Sequence, residues 1–222
     1  MVWVRVAAGV AAALVTAGVA YWKKDEVKTL WDDIVLSLKG KKVAVLGARG
    51  VGKTTLLGFL SKGELPSEYI QTLVTESVKG NRFSMADMKL DLKETSDVSG
   101  GHDAVEEWRR IHNASEIVLY LVNASDLDRR RVERDLGKIE SWRKECAKKP
   151  KLLVIVTHLD LDPEYVKTPS SKRGDYRDRF VKEHMDAGLS GLSERPQIIM
   201  GSLKDRDSAA RVVADLIKLV ST

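Results

Sequence analysis

The sequence predicts an α/β protein, a three-layer sandwich built on a mainly parallel six-stranded sheet with one antiparallel edge strand and preceded by a transmembrane helix. Three observations lead there. Short β-rich apolar runs alternate with longer stretches of helical period, the order produced when helices cross over between parallel strands. A glycine-rich turn at 47–52 joins the first of these runs to a helix. Ahead of both, residues 2–22 read VWVRVAAGVAAALVTAGVAYW, apolar apart from Arg5 and Thr16.

That first stretch, at about 1.5 Å per helical residue, is long enough to cross a hydrocarbon layer of about 30 Å. Trp3 at one end and Tyr21 and Trp22 at the other match the aromatic belts of a spanning helix, and Lys23 and Lys24 end the run. Residues 1–24 are therefore read as a membrane anchor. A cleavable signal peptide is the alternative, because Arg5, the apolar stretch and Gly18-Val19-Ala20 imitate its three regions. In 25–40, Val27, Leu30, Trp31, Ile34 and Leu38 recur at helical spacing, which predicts an amphipathic juxtamembrane helix. Residues 41–222 form the globular domain: the chain's 222 residues suffice for one packed domain with a short appendage but not for two full domains.

Composition narrows the setting. The single cysteine, Cys146, has no internal disulfide partner and points to a reducing compartment. The net charge of +5 and pI near 9.2 suit an anionic partner. Basic clusters such as Arg129-Arg130-Arg131 are interleaved with acids and read first as solvated faces, with lipid headgroups as the alternative. Nucleic acid is not an expected partner, since no zinc-ligand spacing, basic zipper or aromatic RNA-binding signature appears.

The first strand, 42–46, runs into Gly47-Ala48-Arg49-Gly50-Val51-Gly52-Lys53-Thr54 and a helix over 53–61 beginning Lys53-Thr54-Thr55. This is GxxxxGK followed by Thr, in the strand, loop and helix context that defines the fold as a P-loop NTPase sandwich. The chemistry explains the composition. Backbone amides of Gly47, Arg49, Gly50, Val51 and Gly52 turn inward on phosphate oxygens, helped by the positive end of the helix. Lys53 reaches the β and γ phosphates, Thr54 offers its hydroxyl to Mg²⁺, and Thr55 completes the nucleotide-binding set. A domain that needs a cytosolic nucleotide favours the anchor over the signal peptide.

The next elements carry the γ-phosphate side. Strands are predicted over 73–79 and 84–94, joined by a hairpin at Gly80-Asn81. Asp97-Val98-Ser99-Gly100 follows, a DxxG pattern in which Asp97 would hold the metal through water and the Gly100 amide would meet the γ-phosphate. Glu94 is the alternative acid. From Gly101-His102-Asp103 through Trp108-Arg109 to an apolar strand predicted over 116–122 and then Asn123-Ala124-Ser125-Asp126, the chain resembles the ADP-ribosylation-factor branch of the Ras-like small GTPases. A membrane helix ahead of such a domain is also similar to the signal recognition particle receptor beta subunits. The resemblance covers about residues 40–220 and implies GTP and GDP as ligands, with Mg²⁺.

The resemblance places further residues. Thr72 resembles the family's magnesium and γ-phosphate threonine, with Thr75 the alternate. A buried strand over 151–157 leads into Thr157-His158-Leu159-Asp160, in the place of the family's base-reading Asn/Thr-Lys-x-Asp. A carboxylate at Asp160 accepts from guanine N1 and N2, a donor pair adenine lacks. His158 departs from the usual lysine, which makes weaker or less selective binding an expectation. After the strand 197–201, Ser202-Leu203-Lys204 matches the family's SAK loop, where amides around Ser202 and Leu203 would contact the guanine carbonyl.

Two departures bear on hydrolysis. Relatives that hydrolyse GTP readily carry a glutamine directly after DxxG, whereas Gly101 and then His102 stand here. His102 either serves from one position further on or simply begins a surface helix. Arg49 occupies a place where small residues are usual. A membrane-anchored GTP-binding switch with slow hydrolysis is the expectation, acting on a protein effector or receptor through its switch segments. A nucleotide-binding scaffold without turnover is the alternative, and an ATPase a distant third. Remaining helices are expected at 103–113, 128–148, 172–188 and 206–220, with a long polar connection over 162–178.

Overall fold

The computed structural model describes residues 41–62, 79–80, 83–86 and 101–220. Six strands form one sheet: β1 (Lys42–Gly47), β2 (Lys79–Gly80), β3 (Phe83–Ala86), β4 (Ile117–Asn123), β5 (Lys151–Thr157) and β6 (Gln197–Met200), in the order β2-β3-β1-β4-β5-β6. Only β2 and β3 run antiparallel, with Gly80 opposite Phe83. The helices are α1 (Lys53–Lys62), α2 (Gly101–Ala114), α3 (Arg129–Glu145), α4 (Pro163–Lys167), α5 (Arg173–His184), α6 (Asp186–Ser190) and α7 (Arg206–Val220).

Alternation along the strands builds two cores. Val43, Val45, Leu119, Leu121, Leu153, Ile155 and Ile199 face one side and pack with α1 and α7. Their neighbours Ala44, Leu46, Val118, Tyr120, Val122, Val154 and Val156 face the other and pack with α2, α3 and α5. A sheet covered on both faces needs strands apolar at every position, which is why β1, β4 and β5 read as continuous runs. Burying one such Leu, Ile or Val side chain contributes roughly 1.5–3 kcal/mol. Tyr120 is 1% exposed, and its hydroxyl donates to Asp135 on α3 at 3.0 Å, which satisfies the polar end of a core side chain.

The structure revises two expectations. The connection over 162–178 is not an open loop: Asp162 accepts from the Glu164 and Tyr165 amides and, with Pro163 in the first turn, starts α4. The helix expected over 172–188 divides into α5 and α6 around Met185, and a Cβ on Gly188 would lie 3.2 Å from the Glu133 Cα of α3. The two-strand expectation over 73–79 and 84–94 is described only at 79–80 and 83–86. Residues 1–40, holding the expected anchor and juxtamembrane helix, lie outside the described residues. Among the described residues no helix is long and apolar enough to cross a membrane.

Candidate functional site

The turn after β1 is shaped by glycines. Gly47 has φ of +140°, and a Cβ there would stand 2.4 Å from the Leu121 carbonyl oxygen of β4, so the chain leaves the sheet where no side chain fits. Gly52 has φ of +88°, and its absent Cβ would meet Leu203 Cδ1 at 3.0 Å. The Leu56 amide donates to Gly52 O at 2.9 Å, which closes the first bond of α1. Amides ahead of Leu56 have no earlier helical carbonyl, and with the helix dipole they make this end of α1 favourable to an anion.

Lys53 is 3% exposed, and its ammonium donates back to Gly47 O at 2.9 Å and to Ala48 O. The cation thus lies against the loop it follows. Thr54 is exposed on the first turn, Thr55 is half-buried, Val51 is buried, and Arg49 and Gly50 are exposed.

A second group of residues converges from far along the chain. Thr157, fully buried at the end of β5, contacts Val51 O at 2.9 Å and Val122 O at 3.0 Å through Oγ1. His158 Nδ1 lies 2.9 Å from the same oxygen. With the hydroxyl proton shared by the two carbonyls, the ring N–H is the donor in that pair, leaving Nε2 as an acceptor. Burial lowers the His158 pKa, against an opposing pull from Asp160, so the ring favours its neutral form. His158 itself is left-handed, at φ of 59°, in the turn that brings Asp160 round.

Asp160 Oδ1 accepts from the Ser202 hydroxyl at 2.5 Å, and the Lys204 amide donates to Ser202 Oγ at 3.0 Å. The Gly201 amide continues the ladder onto Val156 O at 2.9 Å, which holds this loop beside the end of β5. Gly52, Thr55, His158, Asp160, Leu203 and Lys204 line a pocket of about 240 Å³. The phosphate loop and the two segments expected to read the base therefore share one cavity at the carboxyl ends of the strands, where open α/β sheets place their ligands.

Thr157, expected at the nucleotide, is fully buried, and its hydroxyl holds the phosphate loop to β4 and β5. Lys204, for which the motif implies no role, lines the pocket. Thr72, Asp97 and Gly100 lie outside the described residues, as do the alternatives Thr75 and Glu94. His102 is the second residue of α2. Of the expected metal set Thr54, Thr72 and Asp97, the described Thr54 fits, being an exposed hydroxyl beside Lys53 at the start of α1.

The sheet order, the loop between β1 and α1, and the Asp160–Ser202 pairing define a small GTPase domain of the Ras-like class. The profile of the ADP-ribosylation factor family matches residues 27–173, and the chain belongs to that family. It is also similar to a solved ADP-ribosylation-factor-like GTP-binding protein, a small COPII coat GTPase from Encephalitozoon cuniculi in complex with GDP. That likeness covers 98% of this chain and 93% of the other at 16% identity, with a TM-score of 0.53, and it shows the shared fold.

Proposed function

We propose that this protein is a membrane-anchored guanine-nucleotide switch that binds GTP with Mg²⁺ and hydrolyses it slowly unless assisted. The observation that carries the reading is the shared cavity: Gly52 and Thr55 of the phosphate loop and α1 face Asp160, His158 and Leu203. Loop amides and the Lys53 ammonium would bind the β and γ phosphates. Asp160 would accept from guanine N1 and N2, with Ser202 fixing its carboxylate. Thr54, with Thr72 and Asp97, would hold the Mg²⁺, whose charge offsets that of the phosphates. Gly100 and His102 belong to the γ-phosphate side. Residues 2–22 would tether the domain on the cytoplasmic side of a membrane, and a protein effector or receptor would read segments 68–76 and 97–108.

Gly101, at the position of the water-orienting glutamine, together with the exposed Arg49, favours a second reading, a scaffold that keeps its nucleotide without turnover. Single-turnover phosphate release separates the two. Slow release from the wild type that is lost in Lys53→Ala supports the switch, while tight GTP retention with no release supports the scaffold. Carbonate-resistant membrane association should disappear when residues 1–24 are removed; unchanged sedimentation would exclude the anchor.

A further inference from the structure

We infer that the open edge of β6 is a docking site for an extended acidic segment of a partner protein, which adds to the sheet as another strand. The Gly201 amide donates to Val156 O of β5, and backbone groups alternate sides along a strand, so Ile199 faces β5 in register with Gly201. Ile198 and Met200 then direct their N–H and C=O groups away from β5. Among the described residues no strand covers that side, since β6 ends the sheet. Four residues make an edge too short for extended self-assembly but long enough to offer two donors and two acceptors.

Beside this edge lies a cavity of about 420 Å³ between α4, α5 and α7, larger than the pocket at the phosphate loop. Its apolar lining includes Ile198, Ile199, Met200, Leu219 and the rings of Tyr165 and Tyr176. Its charge is unbalanced: Arg173, Arg177 and Lys218 against the single carboxylate of Asp215. Asp215 pairs with Lys218 at 3.0 Å, and Arg177 pairs with Asp178 at 3.1 Å, both partners more than half exposed. The Arg173 guanidinium lies 4.9 Å over the Tyr165 ring, with no carboxylate partner among the described residues. A positive groove along a free strand edge complements an acidic strand. The same charge sets two copies of β6 against each other, which argues against self-pairing as the occupant.

The probe is a fluorescein-labelled octapeptide of alternating glutamate and valine, with its lysine–valine counterpart, titrated onto the full-length chain by anisotropy. Amide hydrogen exchange is read at Ile198 and Met200. The acidic peptide should bind at least about tenfold more tightly than the basic one, and the pair Arg173→Glu with Arg177→Glu should abolish that preference. The Ile198 and Met200 amides should slow on binding. Ile198→Pro removes one outward donor without touching the β5 ladder and should weaken the acidic peptide. If that variant misfolds, the surface double variant and wild-type exchange still decide. Equal binding of both peptides, no effect of charge reversal, or protection away from β6 would overturn the proposal. So would slow exchange at the two amides before peptide is added, whether a second copy or another segment of the chain supplies the cover.

Discussion

In the proposed function, Asp160 selects the base. Its Oδ1 accepts from Ser202, so a neighbouring loop fixes the carboxylate. Asp160→Asn presents an amide N–H₂ where guanine also presents donors, but that group complements a base bearing a carbonyl at C2, as xanthine does. GTP affinity should fall roughly 10- to 100-fold, the cost of leaving buried donors unpaired, while xanthosine triphosphate overtakes GTP in a competition titration. Equal loss of both nucleotides would mean that the residue only supports the loop. Asp160 and Ser202 were legible in the sequence because each ends an apolar strand in motif order. The work of Thr157 was not, since nothing in a strand-end threonine shows that its hydroxyl will tie down Val51, 106 positions earlier. His158 was legible as a departure from lysine, but its tie to Thr157 depends on a left-handed turn that the sequence does not announce.

Elements with a strong apolar pattern were the readable ones. Strands β1, β4 and β5 and helices α1 and α7 fall within a residue or so of their expected bounds, because burial on both sheet faces leaves unbroken apolar runs. Helix α4 escaped because five residues carry no periodicity, although Asp162-Pro163 spelled a start signal. The break at Met185 is tertiary in origin: Gly188 lets α6 approach α3 closely, a contact that local sequence does not encode.

The packing of α2 on α3 should also respond to pH. His112, in the last turn of α2, is fully buried, with its ring centroid 5.8 Å from that of Trp142. Nδ1 lies 2.9 Å from Asn113 Oδ1, while Nε2 has no hydrogen-bond partner among the described residues. Burial lowers its pKa below the ordinary 6.5, with Asn113 opposing and Arg143 reinforcing. The unfolded chain therefore takes up this proton first as pH falls, so stability is complete above about 6.5 and declines below it toward the folded-state pKa. Urea midpoints measured between pH 7.5 and 5 should show this decline in the wild type and a shallower one in His112→Leu. An unchanged slope would remove His112 as its cause.

At the scale of the whole molecule, the two cores hold a sheet whose carboxyl ends converge on one cavity, and the ligand is part of the stability balance. A nucleotide present at about 100 times its Kd adds about 2.7 kcal/mol to a folded state it binds selectively. The γ-phosphate side is read only from the order of Thr72, Asp97 and Gly100 along the chain, whereas His158, Asp160 and Leu203 are also brought together in the structure. The proposed switch depends on the loop at 47–54 holding a polyphosphate whose base Asp160 selects. The direct measurement is calorimetric titration of the nucleotide-free protein with GTP, GDP and ATP, each with and without Mg²⁺. Magnesium-dependent binding of GTP and GDP, with ATP weaker by about 100-fold or more, is the predicted result. ATP bound as tightly as GTP, or a folded sample with no affinity for any guanosine phosphate, would contradict it.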